Sequence, residues 1–545
     1  MPGLFRYIKR SASHMAYHSA LYDWSLRADV PERLIVRPVD PWEGCVEGGS
    51  VICSGGLPQR YHGKRLHGFE WLRDLRRFGR EAGHGDKARG QARVMIESWV
   101  KRYGRWCHGA WDADVMGQRL SMWISQYEFY AQYSSGVSAE DDEFQDMLFE
   151  SMIKQACHLS RIVGQGSSLA THMQGAAAFD AVKGLLYAGL AFEGREAFVE
   201  QALSCLRREI GVQILGDGAH KSRCPSQLMS VLRSMLDIRS ALQAGGYPVP
   251  EILHGAIERA GVALQFFRYN DHKLALFNGS VEGDAKAIDA VLSQAGVRGK
   301  GVSRLAQAGF EKLSLGRTMI MFDCGKSPCA PFDRKAHAAP LSFEMAYGRE
   351  RLFVNCGTRE GDDELSIGWH DALRATAAHN AAVLGERNAC EIVAGAGFSR
   401  KVQKCLSARD EVKGAVLVEG SHDGYEALNG CVQKRRIYVA DDGHDVRGED
   451  LFTLNGALDK PIDVAIRFHL HPRVMVSLIR DGGEALLRMP GGAGWRFHQG
   501  GGCIALEDSV YLGQGHEVRK TKQLVIYGQI TDKMNKFNWA VQREG

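Results

Sequence analysis

Within Arg374-Ala-Thr376-Ala-Ala-His379-Asn380, a cation, a hydroxyl, an imidazole and an amide fall inside seven positions. Such a set could neutralise an anion, move a proton or hold a metal. Read as a strand, the segment turns Arg374, Thr376 and Ala378 to one side and Ala377, His379 and Ala381 to the other. The alternative for His379 is a buried imidazole bonded to a neighbouring carbonyl. Arg119, Trp123 and Tyr127 share a helical face at i, i+4 and i+8. That stripe is either core or, because a guanidinium beside aromatic rings also holds an acidic sugar, the wall of a groove. His469 and His471 share one face of a strand and are expected to pack against it. His14 and His18 share a helical face, but no glutamate follows His14 as a zincin motif requires.

These groups need elements to position them. Alternating runs over Phe343–Tyr347 and Leu352–Asn355 predict paired strands joined by a Gly-Arg-Glu turn. From Phe69 to about residue 245 the pattern is helical, with pairs such as Ala170–Ala191 and Glu196–Gln213 separated by short glycine-containing turns, and further helices such as Pro225–Ala244. A last helix is expected over Pro250–Phe267, and the polar, Gly/Ala-rich stretch 280–302 reads as a domain edge. Beyond residue 303 short alternating runs recur, among them Lys413–Glu419, Arg435–Val439, Val464–Leu470 and Gln523–Tyr527. Their spacing predicts an antiparallel sandwich. The expectation is therefore an α+β multidomain chain: a helix and extended lead-in over 1–68, helix pairs over 69–280 and a β-sandwich over 303–545.

At 545 residues the chain is too long for one core, and 45% hydrophobic with 24% charged residues is ordinary globular composition. A net charge of +4 is too slight for a nucleic-acid partner, though it is compatible with an anionic ligand. Thirteen scattered cysteines fit a reducing compartment better than a disulfide framework. No stretch approaches the roughly 20 apolar residues of a membrane span, and the basic N-terminus lacks a continuous apolar run. A cytoplasmic protein without a membrane partner is expected, with periplasm or cell envelope less favoured. Nothing in the sequence specifies an oligomeric state.

Phe343-Glu344 with Gly348-x-x-Arg351, then Gly361-Asp362-Asp363, then Arg374-x-Thr376-x-Ala378-His379-Asn380, resemble the heparinase II/III-like family of polysaccharide lyases. A bacterial branch of that family is also resembled by Leu274-Ala-Leu-Phe277-Asn278-Gly279, Ser421-His422-Asp-Gly424-Tyr425, Arg467-Phe-His469-Leu-His471-Pro472 and Glu507-Asp-Ser509-Val-Tyr511. The resemblance implies an α/α toroid followed by the sandwich, with the active site between them. It also implies β-elimination on an acidic, uronate-containing poly- or oligosaccharide, of the glycosaminoglycan or alginate kind. That chemistry needs the uronate carboxylate neutralised, a base for the C5 proton and an acid for the leaving oxygen.

The resemblance assigns catalytic roles to His172, His220, Arg223 and His379, and substrate contacts to Gln227, Arg374 and Asn380; Arg119 and Trp123 join the substrate contacts if their stripe is a groove wall. Thr171-His172 stands where the family has an Asn-His pair; a helix N-cap with a solvated histidine is the other reading. Asp217-Gly-Ala-His220-Lys-Ser-Arg223-Cys-Pro225-Ser-Gln227 matches a family motif that ends in a catalytic tyrosine, so Gln227 is a departure. A glutamine cannot serve as acid or base near neutral pH. Tyr269 and Tyr187 are possible substitutes. Ala377, where some members have a further catalytic histidine, is a second departure. A closed structural zinc on His379, Glu391 and His422 is implied, with no organic cofactor. The alternative function is a catalytically attenuated carbohydrate-binding protein on the same fold. A hydrolase ranks last, because no opposed carboxylate pair stands out.

Overall fold

The computed structural model describes residues 17–131, 139–164, 169, 173, 175–299, 301–361, 364–458 and 460–544. It divides into two compact units, Met1–Gln213 with Arg233–Gly255, and Ile214–Leu232 with Ala256–Gly545.

The first unit is built of helices, including Gly85–Tyr103, Ala113–Ser125, Ala139–Val163, Ala176–Ala191 and Glu196–Gln213. Ala176–Ala191 is its central helix: every residue from Ala178 to Ala191 is buried, so it is enclosed on all sides rather than amphipathic. It packs against both Ala113–Ser125 and Glu196–Gln213. The first crossing is made possible by glycine, since a Cβ at Gly184 would lie 2.3 Å from the Gly117 Cα. The charges on this helix are satisfied in place. Lys183 lies 3.2 Å from Asp180 and 3.3 Å from Asp237, and Ser234 donates to Asp180 at 2.8 Å.

The second unit carries the strands, all antiparallel in their named pairs. Arg304–Leu305, Phe310–Leu315, Thr318–Asp323, Phe343–Tyr347 and Glu350–Phe353 form a five-stranded meander in chain order. A four-stranded sheet runs Cys503–Tyr511, Arg519–Ile530, Ile462–His469, Ala382–Leu384. An eight-stranded sheet runs Met475–Ile479, Glu484–Arg488, Gly494–Gly500, Lys536–Glu544, Asp445–Leu454, Cys431–Val439, Ala415–Tyr425, Cys405–Val412. Buried and half-exposed residues alternate without a break along Cys431–Val439, as expected of a strand with one face on a core. That core is aromatic. Phe343 stacks on Trp539 at 5.3 Å, and Phe468 meets the same indole edge-on at 5.1 Å.

One expectation fails. Residues 374–381 are not a strand: a helix, Glu364–Leu373, is followed by a tight turn, Thr376–Ala378, and pairing begins only at Ala382. The Thr376 hydroxyl explains the turn, donating to the Ala338 carbonyl at 2.5 Å and accepting from the Ala389 amide at 3.0 Å. The stretch 280–302 holds a helix, Ala285–Gln294, whose first turn is capped by Asp284 accepting from the Ala287 amide at 2.8 Å. Ile288, Val291 and Leu292 bury one face of it. Among the described residues no helix is long and apolar enough to cross a membrane.

Candidate functional site

Neutral histidines dominate the candidate residues of the second unit, and their hydrogen bonds fix their tautomers. His379 is buried, and burial pushes its pKa down to about 4. Its Nδ1 lies 2.8 Å from the Ala375 carbonyl, which can only accept, so Nδ1 carries the proton. Nε2 is then an acceptor and takes the Nδ1–H of His337, 2.8 Å away. His469 behaves alike: Nε2–H donates to the Ala377 carbonyl at 3.0 Å, and Nδ1 accepts from the Ser509 hydroxyl at 2.7 Å. In His422, Nδ1 accepts from the Gly424 amide at 3.0 Å, leaving Nε2–H to donate to the Gln433 side-chain oxygen at 3.0 Å.

This pairing bears on the metal expectation. The lone pairs of His379 and His422 are already occupied, and Glu391 is an exposed carboxylate beside Arg387 and Arg400, at 3.8 and 3.9 Å. Among the described residues no three His, Cys, Asp or Glu side chains are grouped to hold a metal ion. The residues therefore do not fit the zinc implied by the resemblance, because each imidazole nitrogen that would bind it serves an internal hydrogen bond.

Arg374 and Asn380 are structural in the same way. Buried Arg374 donates to the carbonyls of Ala336 at 2.9 Å and Gly397 at 3.2 Å, tying two loops to the turn. Asn380 donates to the Phe343 carbonyl at 2.7 Å and accepts the His469 amide at 2.6 Å, joining two sheets. Its own carbonyl accepts from Arg435 at 2.6 Å.

His220 and Arg223 lie in the same unit as the sandwich. His220 is buried, its Nδ1 accepts the Ser222 amide at 3.1 Å, and burial pushes its pKa down to about 3. Arg223 sits at a left-handed backbone position, φ +59°. Its Nη2 is bonded to the Asp323 carboxylate, its Nε donates to the Ala308 carbonyl at 2.7 Å, and its plane covers Phe310 at 4.5 Å. Gln227 is half-buried on the first turn of Pro225–Ala244.

In the helical unit Arg119 is fully buried, donating to Gln155 at 2.7 Å and to the carbonyls of His67 and Ala110 at 2.8 and 2.9 Å. Trp123 is buried beside it, so this stripe is core and not groove wall. Tyr187 and Tyr269 are buried phenols whose pKa burial raises well above 10, which suits neither to proton transfer. His172, His14 and the Asp362-Asp363 pair lie outside the described residues.

Sequence reasoning missed His337 and Asp323 as partners, the bond from the motif residue Ser509 to His469, and a partly buried ionic cluster. In that cluster Arg351 donates to Asp271 at 2.9 Å, Lys273 donates to Glu282 at 2.5 Å, and Tyr511 donates to the same carboxylate. Glu344 nearby is pushed up to about 7 by burial. Glu344 and Arg351 were visible as motif residues, but nothing local marked their partners.

Residues 297–540 match the family model described as Heparinase II/III-like, C-terminal. The C-terminal domain is heparinase II/III-like. A crystal structure of heparinase III superposes on the chain with a TM-score of 0.71 at 15% identity, covering 88% of this chain and 77% of that one. Heparan sulfate lyase HepC from Pedobacter heparinus gives 0.60 at 14%, covering 88% and 76%. At such identities the likeness is one of fold: an α/α toroid followed by antiparallel β-structure, with the heparinase II/III-like domain as the second part. A relative in sequence, FtsZ-localized protein C of Caulobacter vibrioides (strain NA1000 / CB15N), is 27% identical over 540 residues, 93% of this chain and 89% of that protein.

Proposed function

We infer that, at the level of family and fold, the chain belongs with the polysaccharide lyases. Within that class we propose that it is a catalytically attenuated carbohydrate-binding member, for acidic uronate-containing poly- or oligosaccharides. The observation that carries this is the pairing of Arg223 with Asp323. A guanidinium meant to neutralise a substrate carboxylate has its charge matched from within, and the neighbouring motif ends in Gln227 rather than a phenol. The committed lone pairs of His379 point the same way, since an imidazole that accepts a buried N–H is a poor base. The relative's name supports placing the protein at FtsZ, in the cytoplasm.

The test is a panel of uronate polymers (heparan sulfate, hyaluronan, alginate) assayed both for binding and for unsaturated products. Binding without product supports the proposal, and Gln227→Tyr alone should not restore turnover. Efficient release of unsaturated products by the natural sequence would overturn it. A fluorescent fusion that fails to coincide with FtsZ would overturn the location.

A further inference from the structure

The outward face of the eight-stranded sheet carries a concave groove of about 420 Å3 that includes none of the candidate site residues. Its size is within the roughly 300–1,000 Å3 of small-ligand sites. One cross-strand row runs along it: Leu417 opposite Tyr438, Tyr438 opposite Arg447, Arg447 opposite Ala540, and Ala540 opposite His498. A row two residues away on the same face places Arg436 opposite Glu449, Glu449 opposite Asn538, and Asn538 opposite Gly500. Small residues make the floor. Ala540 contributes only a methyl group, and a Cβ built at Gly500 meets nothing within 4 Å. A strand glycine with open space above it marks a place where another molecule can approach the backbone.

The charges say what kind of molecule. Arg436 is held by Glu419 at 2.6 Å and by Glu449 at 2.9 Å, and Arg447 by Asp445 at 2.9 Å. Lys536 is bonded to the second oxygen of Glu449. Each guanidinium in the groove is thus matched by a carboxylate of the same sheet, so a polyanion finds no uncompensated positive charge there. What remains is a mostly apolar lining with side-chain donors and acceptors around the Tyr438 ring, Arg447 6.0 Å from its centre, and the His498 imidazole in the same cross-strand row. Hydroxyl groups both donate and accept, and can bridge such ion pairs without opposing either partner. The apolar face of a pyranose suits the ring.

We propose that this groove binds an uncharged oligosaccharide segment, as a second carbohydrate site apart from the lyase-type motifs. The inference does not rest on the function proposed above. The experiment is calorimetric titration of the full chain with cellotriose and with tri-N-acetylchitotriose, using a heparin tetrasaccharide as charged comparator. One neutral trisaccharide should bind more tightly than the heparin fragment. Tyr438→Ala and Gly500→Phe, which remove the platform and fill the floor, should each weaken that binding at least about fivefold, the effect of losing an anchor contact. Both variants should keep the thermal midpoint of the natural protein. The proposal is overturned if neither neutral sugar binds, if both variants bind as before, or if the heparin fragment binds this face better. It is also overturned if Gly500→Phe instead abolishes a self-association of the chain, which would make the groove an interface between copies.

Discussion

Asp323, the last residue of its strand, is bonded to Arg223, 100 positions earlier in the chain. Both side chains are buried, at 6% and 8% exposure, so neither charge has water to fall back on. Arg223→Ala should therefore destabilise the protein by about 3–5 kcal/mol, the cost of leaving a buried charge without its partner. Urea unfolding measures it. A substrate-binding arginine exposed in a cleft would instead change stability by about 0.5 kcal/mol or less.

Acid should unfold the sandwich unit through its histidines. His220 and His469 are pushed down to about 3, and His379 and His422 to about 4, in each case mainly by burial. Their unfolded value is about 6.5. A depressed folded pKa means the unfolded chain binds more protons, so stability is full above about pH 6.5 and is lost as pH falls toward 4. Glu344 runs the other way, because a carboxyl raised to about 7 favours the folded state more as pH falls from 7. His422→Gln keeps a donor and an acceptor but cannot protonate. It should reduce the acid slope of unfolding free energy by up to about 1.4 kcal/mol per pH unit. Denaturant titrations at pH 5, 6 and 7, chosen to span roughly that window, would show it; an unchanged slope would count against a neutral, buried His422.

The helical unit is sensitive at one crossing. Gly184→Ala would put a methyl 2.3 Å from the Gly117 Cα, and backbone cannot swing aside as a side chain can. We expect a loss of about 1–3 kcal/mol, typical of overpacking. The thermal midpoint of the variant reads it directly. Gly211→Ala, where the added carbon meets nothing within 4 Å, is the control and should be neutral or stabilising.

Local pattern was enough for elements whose residues satisfy each other nearby. Glu196–Gln213 and Phe343–Tyr347 occupy the residues that their periodicity indicates. The family motifs were equally legible, because they are short and contiguous. What could not be read was which atoms those motif residues would meet. Thr376 makes a turn because the Ala338 carbonyl reaches its hydroxyl from 38 positions away. The His379 lone pair is taken up internally because His337, 42 positions earlier in a stretch with no helical or strand period, donates to it. Spacing names candidate ligands; only packing says whether their lone pairs are free.

The strand Lys536–Glu544 lies inside the eight-stranded sheet, between Asp445–Leu454 and Gly494–Gly500. During synthesis its two neighbours emerge first and must wait for it with unpaired edges. At 5–20 residues per second, the 82 positions from Leu454 to Lys536 take roughly 4–16 s to make. Over the last 36 of those positions, from Gly500 to Lys536 and roughly 2–7 s, the nascent chain carries two half-sheets that could pair with other polypeptides. The ribosome and whatever chaperones attend it therefore have a stake in this topology, and a nonsense codon just before Lys536 would release a protein whose largest sheet is in two pieces.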